Sequence, residues 1–342
     1  MKKFLYILGI VGTALLSACS SDDLMTVLSP EEERTLVVEA SQDSDVPITL
    51  GSVASVRSGM TRTPIESGGD FSTPTGANAP CLGVFCLASG KQASAPSSAS
   101  GNWNDALATW LKNVPAKVAT GDVTFLDPTT LDHETPTSRV LYYPYGNWYY
   151  YNFYAYYPRI TDDEAISVGS NSVIVNYEID GRQDIIWGKT TAPDQAYCAK
   201  YCREHPAATP QFAFEHKLAQ LKFVVHSEND VKLESLVLNA CYKLSLYVAG
   251  DSEGTLSVND PSTMGIPVWT SADKNPFDLD GDAEIQPILV SGGSDTEIGY
   301  MLVPPSTTSY SVFVKFEGSA VQSVNIGPVE AGKKYTFTLN KN

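Results

Sequence analysis

The sequence predicts an all-β protein, an antiparallel β-sandwich with Greek-key connections and at most one or two short helices. Apolar and polar residues alternate in several short runs, among them residues 48–56, 310–316 and 335–339, and a period of two is typical of strands with one buried face. Clusters of glycine and proline separate the runs, as turns between strands require. Only residues 103–114 carry apolar side chains at helical spacing, so we expect a helix there.

The N-terminus has the pattern of a lipoprotein export signal. Lys2 and Lys3 precede an apolar stretch that is too short to span a bilayer, and small residues lead directly to Cys19. We therefore expect residues 1–18 to be removed and Cys19 to carry the lipid that holds the protein to the outer membrane. An ordinary thiol behind a plain signal peptide is the alternative. Residues 19–46 are predicted to form an acidic linker or propeptide.

Length and charge limit the remaining choices. The chain has 342 residues, which suggests two domains. The strand pattern is interrupted near residues 203–210, which predicts an N-terminal domain over 47–205 and a C-terminal domain over 206–342. The formal net charge of −16 argues against nucleic acid as a partner, because both molecules would be anionic.

No motif for catalysis is evident, so we predict neither an enzyme nor a cofactor. A carboxylate-based glycan hydrolase would need two converging acidic residues, and nothing in the sequence identifies such a pair. Cys198, Cys202 and His205 could be zinc ligands, but a disulfide or two separate thiols fits an exported protein better. The acidic residues 278–284 resemble the start of a calcium loop but lack its final glutamate, so an acidic turn is expected and no metal site is predicted.

Two features of the composition leave alternatives open. Besides Cys19 the chain has an odd number of cysteines, whose pairing is undetermined: Cys81, Cys86, Cys198, Cys202 and Cys241. An aromatic run covers residues 142–157 and could bind sugar rings or anchor a protein interface, although alternate aromatic residues in a strand could equally form core. Its candidate ligand contacts are Tyr145, Trp148, Tyr150 and Tyr154.

Four further stretches resemble the fimbrillin family, the pilin subunits of type V pili in Gram-negative anaerobes of gut and mouth. They are residues 184–187 (DIIW), 212–225 (FAFEHKLAQLKFVV), 300–305 (YMLVPP) and 331–339 (AGKKYTFTL), and they follow one another in the order of the family. The resemblance implies two transthyretin-like β-sandwich domains and no catalysis. It also identifies residues 212–225 as the strand that opens the C-terminal domain.

The resemblance further implies assembly by strand exchange. An arginine-specific protease cuts after the first strand, that strand leaves, and a strand of another subunit fills the groove. The matching first strand presents Ile48, Leu50, Val53 and Val56. Arg57 and Arg62 follow it in surroundings typical of an exposed loop, whereas cutting at Arg34 would release the lipid without opening a groove.

The sequence differs from the family pattern at the end of the chain. Stalk subunits carry a C-terminal donor extension, but here Asn342 comes shortly after the predicted final strand, so we expect a tip or accessory subunit. The predicted function is thus a structural or adhesive subunit of a cell-surface fimbrium, exported as a lipoprotein precursor and paired with other pilin subunits. A host or bacterial surface glycan or protein is a further expected partner. The alternative is an uncut, monomeric surface lipoprotein that binds glycan or host protein through the aromatic run.

Overall fold

β-Strands are the main secondary structure of the residues that the structure describes. The computed structural model describes residues 46–53, 80–119, 121–144, 148–190, 197–260, 262–268 and 287–341. In these ranges the helical segments are α1 (Ala199–Glu204) and two 3₁₀ turns, Pro128–Thr130 and Asp163–Ala165. The predicted all-β fold class, with very little helix, is confirmed.

The first group of strands forms a closed barrel, with the neighbour order β1-β4-β3-β2-β5-β8-β9. β1 closes it, because it pairs antiparallel with β4 and parallel with β9. The bounds of these strands are β1 Leu50–Val53, β2 Leu82–Lys91, β3 Thr109–Ala119, β4 Asp122–Phe125, β5 Tyr149–Tyr157, β8 Ile186–Thr190 and β9 Gln211–His216.

The other strands form three sheets. Their orders are β13-β12-β7-β6, β16-β10-β19 and β14-β11-β17-β18, and β15 pairs with β11 at the edge that carries β14. The bounds are β6 Ile166–Val168, β7 Val173–Glu178, β10 Ala219–Ser227, β11 Val231–Cys241, β12 Lys243–Ala249, β13 Leu256–Val258, β14 Thr263–Pro267, β15 Ile288–Val290, β16 Ser294–Val303, β17 Tyr310–Phe316, β18 Gln322–Ile326 and β19 Lys334–Lys341.

Strands β2 and β5 separate two hydrophobic cores. Cys86 and Phe153 belong to one core together with the side chains of β1, β4 and β9, whereas Phe85 and Tyr156 belong to the second, which is shared with β7, β10 and β11. Successive side chains of a strand point to opposite faces, so both faces of β2 and β5 are buried. This accounts for much of the aromatic run, in which members of both alternating sets are core residues.

A buried polar network supports the join between β3 and the segment after β5. Asn113 has a left-handed backbone, with φ 50°. Its side-chain amide donates to Ile160 O at 2.8 Å, and its Oδ1 accepts from the Tyr156 hydroxyl at 2.7 Å. Gly83 leaves room for this contact, because a Cβ there would lie 2.4 Å from the Tyr156 ring. The network therefore fixes a local bulge between β2 and β3.

The prediction of a helix over residues 103–114 is wrong. Turns and a bend occupy residues 103–108, and β3 begins at Thr109. The apolar residues that resembled one helix belong to two different structures. The first of them lie in a short turn, in which Thr109 N–H donates to Asp105 O at 2.9 Å. The others are buried or half-buried residues of a bulged strand. A left-handed residue at position 113 and Pro115 are both unsuited to a helix interior.

The division of the chain into two domains after residue 205 stays a prediction. Strands that precede this residue pair with strands that follow it. β9 pairs with β8 and β1, and β12 pairs with β7. The stretch 212–225, expected to form one strand, forms β9 and β10 in different sheets, with a break at Lys217–Leu218.

Candidate functional site

The first described strand completes the barrel and is held by backbone pairing on both sides. Leu50 and Gly51 face Val123 and Asp122 of β4, and residues 51–53 face residues 211–213 of β9. Because β1 pairs with β4 on one side and β9 on the other, its removal would leave two facing edges with unpaired backbone groups. A groove of this kind can accept an extended segment from elsewhere.

A second stretch of backbone pairing extends this site toward the N-terminus. Ile48 N–H donates to Leu141 O at 2.7 Å, and Tyr143 N–H donates to Val46 O at 3.1 Å. Pro47 and Tyr142 form the bridge between these two bonds. The segment 46–53, here called the closing segment, therefore also covers residues 141–143.

The closing segment shows the alternation that the sequence predicted. Val46, Ile48 and Leu50 are buried, whereas Pro47 and Thr49 are exposed. The buried residues belong to the same core as Phe125 of β4 and Phe212 of β9. An apolar strip with period two thus faces the barrel interior, which is what gives a strand a defined register.

Several predicted site residues lie outside the described residues. Val53 lies in β1, but its side chain is not among those described. The other predicted residues outside the described ranges are Cys19, Arg34, Val56, Arg57, Arg62 and Tyr145.

The predicted aromatic contacts differ in accessibility. Trp148 and Tyr150 are half-buried, whereas Tyr154 is only 4 % exposed. Burial, with a contribution from Glu253, raises the pKa of Tyr154, and Lys189 lies over its ring. Trp148 and Tyr150 are therefore better placed than Tyr154 to contact a ligand.

The sequence analysis missed that part of the aromatic run flanks the closing segment. Tyr142 is 39 % exposed, and its carbonyl accepts from Trp110 Nε1 at 2.8 Å. Neighbouring Val140 is also exposed, and Tyr143 is buried against Phe153. Residues 140–143 are Val-Leu-Tyr-Tyr, which shows no alternation of polar and apolar residues, so no local signal indicated that they pair with the closing segment.

A hydrogen-bonded aspartate–histidine pair joins two of the family-like stretches. Asp184 is buried, and its Oδ2 lies 2.7 Å from His216 Nδ1. Burial disfavours the charged ring, but the hydrogen bond to Asp184 and its negative charge outweigh this, so the pKa of His216 is raised. The pair connects the segment just before β8 to the last residue of β9, the strand with which β1 pairs.

The cysteines around α1 have ordinary structural roles. Cys198 Sγ accepts from Tyr201 N–H at 3.4 Å at the start of the helix, and the His205 ring stacks on Tyr201 with centroids 4.4 Å apart. No disulfide joins the cysteines of the described ranges, and those ranges contain no group of three or more residues suited to hold a metal ion. The acidic stretch 278–284 lies outside them. In the same ranges no helix is long and apolar enough to cross a membrane.

Comparison with known proteins points to one family. The family model described as fimbrillin-like matches residues 83–342. Among solved structures, a candidate cell adhesion protein of Bacteroides uniformis is 13 % identical, with 88 % of this chain and 95 % of that chain covered and a TM-score of 0.47. One from Bacteroides ovatus is 11 % identical, with 86 % and 91 % covered and a TM-score of 0.45.

The fimbrial anchor protein Mfa2 of Porphyromonas gingivalis is 9 % identical, with 86 % of this chain and 89 % of that chain covered and a TM-score of 0.34. No curated protein sequence matches the chain significantly. Because the family model covers well over half of the sequence, the chain belongs to the fimbrillin-like family.

Proposed function

We propose that this protein is a subunit of a cell-surface fimbrium that is exported as a lipid-anchored precursor and assembled by exchange of its first strand. Family membership supports a fimbrial or adhesin-type subunit with a structural rather than enzymatic role. The observation that carries the proposal is the position of β1, which closes the barrel between β4 and β9 and lies just N-terminal to Arg57 and Arg62.

The geometry of β1 suits replacement by another strand. Departure of β1 would leave backbone groups of β4 and β9 unpaired and would expose the core beneath Ile48 and Leu50, so the open state is unfavourable until it is refilled. An incoming strand in the same place would run antiparallel to β4 and parallel to β9. It would need apolar residues at alternate positions to cover the same core.

Proteolysis after Arg57 or Arg62 would make the exchange irreversible. The cut would separate the closing segment from the rest of the chain, so that only noncovalent contacts retain it. A cut at Arg34 would leave that segment attached. In this scheme the outer membrane holds the precursor through Cys19, and the mature subunit resides in the extracellular fimbrium.

We also propose a tip or accessory position in the fimbrium, and the pairing of the last described strand agrees with it. β19 pairs parallel with β10 over its full length, from Lys334 beside Gln220 to Lys341 beside Ser227. A strand held in this way within its own sheet is not available as a donor to a neighbour. The subunit would then accept a strand without using β19 to supply one.

The second candidate function is an uncut, monomeric surface lipoprotein that binds a glycan or a host protein. The half-buried rings of Trp148 and Tyr150 favour it, because partly exposed aromatic faces can stack on sugars. The two functions differ in whether the closing segment is removed.

Replacement of both Arg57 and Arg62 by alanine tests the proposal. The double variant is expected to remain lipid-anchored and to be missing from sheared, purified fimbriae, whereas the matched variant Arg34→Ala is incorporated normally. Immunoblotting of the sheared and membrane fractions distinguishes these results. Normal incorporation of the double variant would refute maturation by cleavage at these sites.

A further inference from the structure

β18 lies at an edge of its sheet, and no other described strand pairs with its outer side. β18 pairs antiparallel with β17, from Tyr310 beside Ile326 to Val314 beside Gln322. The neighbouring strands β14 and β15 attach to β11 and thus lie at the opposite edge of this sheet. Backbone groups on the outer side of β18 are therefore available to another strand.

The other described sheet edges carry features that discourage pairing with a second chain. β6 and β13 have three residues each, and β14 ends in a proline. Asp295 and Glu297 place charges on β16, and lysines lie at both ends of β19. Short length, proline and charge are the usual means by which edges avoid association. β18 has five residues, Gln-Ser-Val-Asn-Ile, with neither charge nor proline.

Apolar surface on β18 is left uncovered on the side that faces the core. Val324 stands beside Val312 on the same face of the sheet, yet Val312 is 0 % and Val324 is 39 % exposed. Val321, which precedes the strand, is exposed as well. The hydrophobic core therefore covers Val312 but not Val324. A strand added beyond β18 would shield this side chain and satisfy the outer backbone groups together.

We propose that β18 pairs edge to edge with β18 of a second copy of this chain, in antiparallel orientation about a two-fold axis. An isologous contact places the same strand on both sides, and a strand without charge opposes its own copy without like-charge repulsion. Val321 and Val324 of each copy would bury apolar surface across the contact. The pairing is distinct from strand exchange at β1, because it needs no cleavage and uses a different sheet.

The net charge predicts how this association depends on salt. Each chain carries a formal charge of −16, so copies repel one another at long range. Salt screens that repulsion, while the charge-free contact itself is little affected. Association is therefore expected to tighten when NaCl is raised from about 0.05 M to about 0.5 M.

Analytical ultracentrifugation of the full-length chain carrying Cys19→Ser, which prevents lipid from holding copies together, tests the proposal. The parent protein is expected to form dimers at micromolar concentrations, and Val324→Lys is expected to weaken dimerisation about tenfold or more, because it brings two lysines into one contact. The matched control is Val258→Lys, on the short edge strand β13, where the replaced valine is 48 % exposed. It should dimerise as the parent does.

Hydrogen exchange gives a second measurement that needs no substitution in β18. Amides of residues 322–326 should exchange more slowly at about 100 µM than at about 1 µM protein, while those of β13 are unchanged. A parent protein that stays monomeric at about 100 µM in both salt concentrations would overturn the proposal. So would equal weakening by both lysine variants, or protection of β18 that is independent of concentration, since the chain's own residues would then cover the edge.

Discussion

Shortening Leu50 to alanine is expected to loosen the closing segment far more than the same change at its exposed neighbour. Leu50 is 3 % exposed and belongs to the barrel core. Replacing a buried leucine by alanine typically costs about 2–5 kcal/mol, because apolar contacts are lost and a cavity remains. Since β1 has only four residues, much of this cost should appear as local opening of the segment rather than in unfolding of the whole chain.

Hydrogen exchange measures that opening directly. Each 1.4 kcal/mol corresponds to a factor of ten, so amides of residues 50–53 and 211–213 should exchange up to about 30 to 4,000 times faster in Leu50→Ala. Thr49→Ala changes an exposed side chain and should alter exchange little, because surface substitutions usually stay within about 0.5 kcal/mol. Equal rates in the two variants would refute the docking of β1 described above.

Three further predictions concern the residues that support the barrel, each checked by thermal or urea unfolding. Gly83→Ala should destabilise the protein, because the new Cβ would lie 2.4 Å from the Tyr156 ring, and overpacking costs about 1–3 kcal/mol. Asn113→Ala should cost about 2 kcal/mol or more, because it removes two buried hydrogen bonds, to Tyr156 and Ile160. His216→Gln should remove a pH-dependent part of the stability: the pKa of His216 is raised in the folded protein, so its contribution is complete below about pH 6.5 and is lost as the pH rises through the folded-state value.

Controls distinguish these effects from general sensitivity of the surroundings. Gly90→Ala is matched to the glycine variant, because its Cβ would meet nothing within 4 Å, and it should leave stability nearly unchanged. Tyr156→Phe removes one partner of Asn113 and should cost less than Asn113→Ala. A stability difference between the wild type and His216→Gln that does not shrink at alkaline pH would contradict the role assigned to the pair with Asp184.

The local sequence pattern was sufficient to predict strands in which apolar and polar residues alternate strictly. Ile48 and Leu50 are buried on one face as expected, and the run from Tyr310 to Phe316 forms β17. Pairing partners were not predictable in the same way. The parallel contact between Gly51 and Gln211 joins residues far apart in the chain, and no local signal specifies such a contact.

Other errors came from residues whose conformation depends on their neighbours. The apparent helix before Pro115 is a turn and a bulged strand, held by the contacts of left-handed Asn113. Tyr154 was a candidate for ligand contact, but it lies in a strand buried on both faces. An aromatic run alone does not distinguish a binding surface from a central strand between two cores.

The most direct test of the central claim is N-terminal sequencing with intact-mass measurement of protein recovered from the cell surface, before and after treatment with an arginine-specific protease. Removal of the closing segment predicts a lipidated Cys19 before treatment and a new terminus at Ser58 or Thr63 afterwards, on an otherwise intact chain. Persistence of the lipidated terminus, or cleavage confined to Arg34, would contradict strand removal and favour the uncut surface lipoprotein.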